Sequence, residues 1–278
     1  APCRNEVPIS DPDLSTFREH EYRPASDTRF YVCLGLLSSV YVIILVAMLA
    51  AEITYTTPGH ILSALKDPNI QYAVRLSLLS CTVTAILALW VAVPIGYLMS
   101  RCRFPGKAIV DAVLDIPIVL PPLVVGLCLL ILFQTGIGHW IEQFIPFTYA
   151  IPGIILAQFM VAGAFAIRTL RVTFDQINPR CERVALTLGC SRAQAFWRVV
   201  MPEARNGLLT AGTMAWARAL GEFGPVLIFA GATRMRTEVL PTSIYLELTV
   251  GNIEGAVAVS ILMTVLAVTA LILMRVWG

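Results

Sequence analysis

The sequence predicts an all-α integral membrane protein: about six transmembrane helices with one structured loop on the cytoplasmic side. Three observations predict this. Apolar residues make up 57% of the 278-residue chain and charged residues only 14%, with a mean hydropathy of +0.76, whereas a soluble domain carries about 25% charge. The apolar residues gather into runs of about 20 or more, the length that crosses a bilayer as a helix. Lys and Arg concentrate in alternate loops, as orientation in a membrane requires.

Taken in order, residues 1–29 are rich in charge, Pro and Ser. They lack the short apolar stretch of a signal peptide and read as a disordered, polar cytoplasmic tail. The chain begins with Ala rather than Met, so a trimmed start is expected. Residues 30–278 form the transmembrane domain. Its apolar runs are Phe30–Ile53, Tyr72–Met99, Val110–Phe133, Tyr149–Leu170, Gly207–Ala230 and Ile253–Trp277. No long extension follows Trp277, so no added regulatory domain is expected on this chain.

Orientation follows from the basic residues. Arg4, Arg18, Arg23 and Arg29 lie in the tail; Arg101, Arg103 and Lys107 follow the second run; seven arginines from Arg168 to Arg205 follow the fourth. The alternate loops hold only Lys66, then none, then Arg234 and Arg236. Both termini are therefore placed in the cytoplasm, as an even number of spans demands.

Composition also excludes functions. A net charge of +2 does not argue for nucleic acid. The seven cysteines and three histidines (His20, His60, His139) are scattered without metal-ligand spacing. No nucleophile–base pair marks a membrane enzyme. No phosphate-binding loop of the G-x-x-x-x-G-K-[ST] kind is present, so the chain is not expected to bind ATP itself, and no cofactor is expected.

Pro117, Pro121 and Pro122 stand in the third run. Proline lacks an N–H and collides with the preceding turn, so they should break or kink the helix. They mark either a bend forced by packing or a stretch lining a pathway, since irregular backbone at membrane depth survives only when buried in protein or facing water. In the fifth run, Arg218 and Glu222 stand one helical turn apart and can pair. They are either a structural ion pair that orients helices or part of a pathway or subunit seam, because intramembrane charge is costly and marks function. Gly221 and Gly224 permit a close backbone approach or a break beside Glu222.

Residues 172–206 are too polar to span. Asn178 can cap a helix whose first turn accepts Pro179. Cys181, Val184, Ala185 and Leu188 follow at helical spacing, and Gly189 is placed to end the helix with positive φ. Ser191 and Gln194 fit a capping box for a second helix, with Ala193, Phe196, Trp197 and Val200 on one face and Pro202 as its stop. The pair would either lie on lipid as interfacial helices or dock a cytoplasmic partner.

The run from Glu182 through Ala185 to Gly189, with Pro202 downstream, resembles the "EAA" loop of ABC-importer permeases, although Arg183 and Val184 stand where Ala is usual. The segment Cys102–Lys107 followed by Asp115–Pro122, and Arg218–Gly224, resemble stretches of molybdate-type permeases of that family. Sulfate permeases usually have Tyr where this chain has Phe223, which favours molybdate or tungstate; Pro225 replaces a residue that is usually small. The resemblance implies a type I importer fold and a coupling role for Glu182, Ala185, Gly189, Phe196, Trp197 and Pro202. It implies a pathway or subunit seam at Pro117, Pro121, Pro122, Arg218, Gly221, Glu222, Phe223 and Gly224. It further implies a dimer of ABC ATPase subunits, an extracytoplasmic binding protein, a permease homodimer, and a bacterial or archaeal plasma membrane. Arg234 and Arg236 either meet the binding protein or are solvated charges. A sulfate cargo and an ion-coupled secondary transporter stand as alternatives; the latter would leave the Glu182–Pro202 segment unexplained.

Overall fold

The structure is a computed structural model that describes residues 28–277; most of the polar tail lies outside the described residues. Among the described residues every regular element is helical. Contacts divide the chain after Ala51. Helix α1 (Thr28–Tyr55) belongs mostly to the first unit and is apolar on every side, as a lipid-spanning helix is.

The second unit begins with α2 (Pro58–Lys66), α3 (Pro68–Arg101), α4 (Lys107–Val119), α5 (Pro122–Phe133), α6 (Gly136–Glu142) and α7 (Ile151–Gln176). It continues with α8 (Pro179–Thr187), α9 (Arg192–Ala195), a π-helical turn (Phe196–Val200), α10 (Met201–Glu203) and α11 (Arg205–Leu220). It ends with α12 (Gly224–Phe229), α13 (Leu240–Thr249) and α14 (Ile253–Trp277).

Among the described residues, four unbroken stretches are long and apolar enough to cross a bilayer: Phe30–Thr54, α3, α7 and Ile253–Ile272. The third run is the pair α4 and α5, bent by 111°. Leu120, just before Pro121, is extended (φ −65°, ψ 140°), because a residue preceding proline avoids the helical region. Pro117 does not contribute to the break; it is accommodated inside α4. The fifth run is not one helix either. It stops at Leu220 and resumes at Gly224, leaving Gly221–Phe223 as a non-helical step.

The core lies among α3, α7 and α11. Ala88, Ala92, Ala162, Ala166, Ala211 and Ala215 are fully buried there. Small side chains let helix backbones approach closely, and that contact is what holds helices together where lipid removes the hydrophobic drive. At Gly96 a Cβ would sit 3.1 Å from the Arg171 nitrogen, so α3 and α7 touch backbone to backbone. A second core forms around Leu129, Phe133, Ile154, Val226 and Phe229. It joins α5 to α12, so the second halves of the two broken runs pack on each other.

Two expectations need correction. α7 reaches Gln176, beyond the expected end at Leu170. Pro202 does not stop a helix. It sits inside α10, immediately after the π-helical turn, where the Met201 N–H bonds to the Phe196 carbonyl five residues back. Widening the turn relieves the clash of the proline ring with the preceding carbonyls. Bonds from Ala204 N to Val200 O and from Leu208 N to Ala204 O then continue the helical path into α11.

Candidate functional site

The corner between α8 and α9 is built by local signals. The Asn178 side chain accepts from Arg180 N at 3.0 Å, and Pro179 occupies the first turn. Gly189 adopts φ +89°. Its own N–H bonds to Leu186 O and the Cys190 N–H to Ala185 O, each at 3.1 Å, which satisfies carbonyls left over at the end of α8. Ser191 and Gln194 form the full capping box: Gln194 N donates to Ser191 Oγ at 3.2 Å and Ser191 N to Gln194 Oε1 at 2.9 Å.

The corner is clamped to the end of α3. The Tyr97 hydroxyl donates to Glu182 Oε1 at 2.5 Å, and Arg101 Nε lies 3.4 Å from Glu182 Oε2. Arg101 also donates through Nη2 to Ile177 O at 2.9 Å. The Tyr97 ring meets Phe174 and Phe196 edge-on at 5.8 and 4.8 Å, and Phe196 meets Trp197 at 5.2 Å. Glu182 therefore faces the bundle. The apolar face of α8 is largely exposed: only Ala185 is buried, while Val184 and Leu188 are 56% and 79% exposed. On the next segment Val200 is buried and Trp197 is 64% exposed. A rigid knob thus presents Val184, Leu188 and Trp197 outward.

Tyr97→Phe, Glu182→Gln and the double variant are expected to show a coupling of about 1–3 kcal/mol, the scale of a hydrogen bond to a charged group. Unfolding of the detergent-solubilised protein measures it; additive effects would mean the clamp is not formed.

The second constellation surrounds the step in the fifth run. A Cβ on Gly224 would lie 3.1 Å from Leu123 N and 3.2 Å from Pro122 Cβ, and one on Gly126 would lie 2.7 Å from Pro225 Cα. The head of α5 at Pro122 and the start of α12 at Gly224, just beyond the Gly221–Phe223 step, are thus brought together. Pro117 remains on α4, on the other side of the bend. Gly221 makes no close approach; a Cβ there would meet only two helix carbonyls at 3.9 Å. Arg218 Nη1 lies 2.5 Å from Glu222 Oε2, an ion pair whose side chains are 30% and 1% exposed. The approach lacks hydrogen-bond geometry, so Oε2 is charge-paired but not hydrogen-bonded. The Arg218 guanidinium also stands 5.7 Å over the Phe165 ring. Phe223 packs on Tyr245 of α13 at 5.5 Å.

Sequence reasoning missed the residue that holds this step to its neighbours. Gln158 of α7, 2% exposed, donates to Ala219 O at 3.2 Å and accepts from Thr84 Oγ1 of α3 at 3.2 Å. A lone amide inside an apolar run was the signal, because a polar side chain in lipid must find a partner on another helix.

On the loop beyond α12, Arg234 donates to Glu247 Oε1 of α13 at 2.7 Å, and Asn252 donates to Glu247 Oε2 at 2.7 Å. Arg234 is 42% exposed in this pair. Arg236 contributes its carbonyl, which accepts from the Tyr72 hydroxyl at 3.1 Å.

The family described as "Binding-protein-dependent transport system inner membrane component" matches residues 92–277. The sulfate transport system permease protein CysT of Escherichia coli (strain K12) is 31% identical over 233 residues, 83% of this chain and 82% of that one. The molybdate/tungstate transport system permease protein WtpB of Thermococcus kodakarensis is 35% identical over 200 residues, covering 72% and 76%. The molybdenum transport system permease protein ModB of E. coli (strain K12) is 33% identical over 214 residues, covering 75% and 93%. Among solved structures, a chain of the bacterial alginate ABC transporter, crystallised with an alginate-bound periplasmic protein, matches with a TM-score of 0.73 at 15% identity over 89% of this chain and 93% of that one. That last likeness concerns the fold.

Proposed function

Because the chain belongs to the family of binding-protein-dependent transport system inner membrane components, we propose that it is the permease subunit of an ATP-driven importer of molybdate or tungstate. The chain is a multi-pass membrane protein of the ABC permease type. Two copies line the pathway, two ATPase subunits sit on the cytoplasmic side, and an extracytoplasmic binding protein delivers the oxyanion. The chain performs no covalent chemistry. It resides in a bacterial or archaeal plasma membrane with both termini in the cytoplasm.

The observation that supports this reading most is the α8–α9 corner. Val184, Leu188 and Trp197 are exposed together, yet the segment beneath them is clamped through Glu182 to Tyr97 and Arg101. An apolar knob held this stiffly suits a partner that pushes on it, because force passes through a packed joint and is lost in a flexible loop. Glu182, Ala185, Gly189, Phe196 and Pro202 shape the knob, and Trp197 is its outward anchor. The Arg218–Glu222 pair and the Phe223–Gly224 step lie at the pathway or the subunit seam. Arg234 and Arg236 face the binding protein, Arg234 as one half of a neutral pair with Glu247.

The cargo reading rests on Phe223 and on the molybdate-type stretches at 102–122 and 218–224. Sulfate is the second reading, favoured by the similarity to the sulfate permease. Uptake of labelled molybdate by cells holding the chain with its cognate ATPase and binding protein tests both. Suppression by excess tungstate but not by sulfate is expected. Robust sulfate uptake without molybdate uptake would move the cargo to sulfate.

A further inference from the structure

Helix α4 is attached to the bundle through charge. None of its residues is buried, and Ile109, Val113 and Ile116 are 71%, 55% and 46% exposed. Asp111 and Asp115, one turn apart, instead turn toward α7, where Asp115 pairs with Arg168 and Asp111 with Arg171. Asp175 adds a second carboxylate 3.9 Å from Arg171. Ionisable groups at membrane depth face a wet cavity or one another, and the charged side of α4 faces its partners on α7. The seam does hold open space. A cavity of about 220 Å³ is lined by both arginines and their aspartates, and a second of about 420 Å³ shares Asp115 and Arg168 and reaches Phe165. Phe165 lies under the Arg218 guanidinium. Three arginines, each already holding a carboxylate, thus succeed one another from the step in the fifth run toward the end of α7 that leads into the corner.

We propose that the α4–α7 seam is an exit site for a tetrahedral oxyanion, at which Arg168 and Arg171 release their aspartates and take the anion in their place. This rests on the permease reading. The guanidinium fork fits the oxygens of a tetrahedral anion as it fits a carboxylate, so the exchange conserves geometry. The Arg168–Asp115 side chains are 58% and 34% exposed and the Arg171–Asp111 side chains 27% and 33%. Where water in the seam reaches pairs this exposed, each is worth only about 0–1 kcal/mol, so displacement costs little. The aspartates in turn keep the anion from binding tightly, which a pathway needs if cargo is to leave.

The two sides of each pair have opposite roles in this scheme, and that separates it from a mere latch. The assembled transporter is placed in vesicles with ATP and increasing molybdate preloaded on the side into which it delivers, and uptake of labelled molybdate is measured. Asp115→Asn frees Arg168 and is expected to lower the preloaded concentration that halves uptake by at least about tenfold. Arg168→Gln is expected to raise it by about tenfold and to reduce maximal uptake, with Arg168→Lys intermediate; ATP hydrolysis by the same vesicles reports intact assembly. If Asp115→Asn and Arg168→Gln shift the value in the same direction, or neither shifts it, the site is overturned and the pair is structural. If the unaltered transporter moves no oxyanion, the permease reading fails and the exit site with it.

Discussion

Gly189→Val is expected to abolish ATP-dependent uptake while the protein remains inserted at normal levels. Gly189 holds φ +89°, a region that costs an L-residue roughly 1–2 kcal/mol and a β-branched one more. Nothing lies within 4 Å of a Cβ built there, so the side chain itself meets no wall. The penalty is confined to the backbone of the corner. Relieving it moves Gly189 out of the left-handed region and releases the bonds from Gly189 and Cys190 to Leu186 and Ala185. The α8–α9 angle is then lost, and with it the joint presentation of Leu188 and Trp197. Each 1.4 kcal/mol is a factor of about ten in the population of the competent corner. Gly189→Asn, which tolerates positive φ, is expected to retain most uptake. Uptake assayed beside membrane expression decides the matter: a normally expressed Gly189→Val that transports at full rate removes the corner from the mechanism.

Arg218→Met carries the largest expected stability effect. It leaves the Glu222 side chain, 1% exposed, without its counter-charge. Removing one partner of a buried pair costs about 3–5 kcal/mol, mostly because the remaining charge is stranded. Arg218→Met combined with Glu222→Gln is expected to recover most of this loss, since no charge remains buried. Unfolding of the detergent-solubilised variants measures the stabilities, and a loss below about 1 kcal/mol for the single variant would show the pair to be solvated. Uptake by the double variant then separates two roles. Recovery of transport together with stability assigns the pair to helix orientation; recovery of stability alone assigns it to the pathway.

Features set by neighbouring residues were legible in the sequence. The Asn178 cap, the left-handed Gly189 and the Ser191–Gln194 box each depend on a few adjacent groups, and each forms as its residues imply. Pro121 and Pro122 break the third run for the same reason. Pro202 misled because its effect depends on a turn it does not itself define: a π-helical turn ahead of it absorbs the ring. The clamp from Tyr97 to Glu182 spans 85 positions of sequence, and no periodicity encodes such a pair. Asp111 and Asp115 were visible as two charges one turn apart in an apolar run. Arg168 and Arg171 were visible too, but they were explained as orientation signals. Only the bend at Leu120, which folds α4 onto α7, shows that these four belong together. In the fifth run, Gly221 and Gly224 left a close approach and a break both open; the backbone takes both, breaking at Gly221–Phe223 and packing closely at Gly224.

The bonds from Ala204 N to Val200 O and from Leu208 N to Ala204 O carry the chain from the π-helical turn through the turn at Ala204 into α11, which makes the first of these turns more than an accommodation of Pro202. Helix α11 alone has 16 residues, about 24 Å at 1.5 Å per residue. Its far end is the Gly221–Phe223 step, and its near end is continuous with the segment that displays Trp197. The outward anchor and the intramembrane step are therefore opposite ends of one lever, with the contacts on α3 and α7 between them as its fulcrum. In the proposed function, a tilt imposed at Trp197 would reach Glu222 as displacement rather than as a relay of local rearrangements. The extra residue in the π-helical turn sets the rotational phase of that lever: deleting one residue from Phe196–Val200 would turn the anchor by about 100° against the step, at 3.6 residues per turn, while leaving both ends intact.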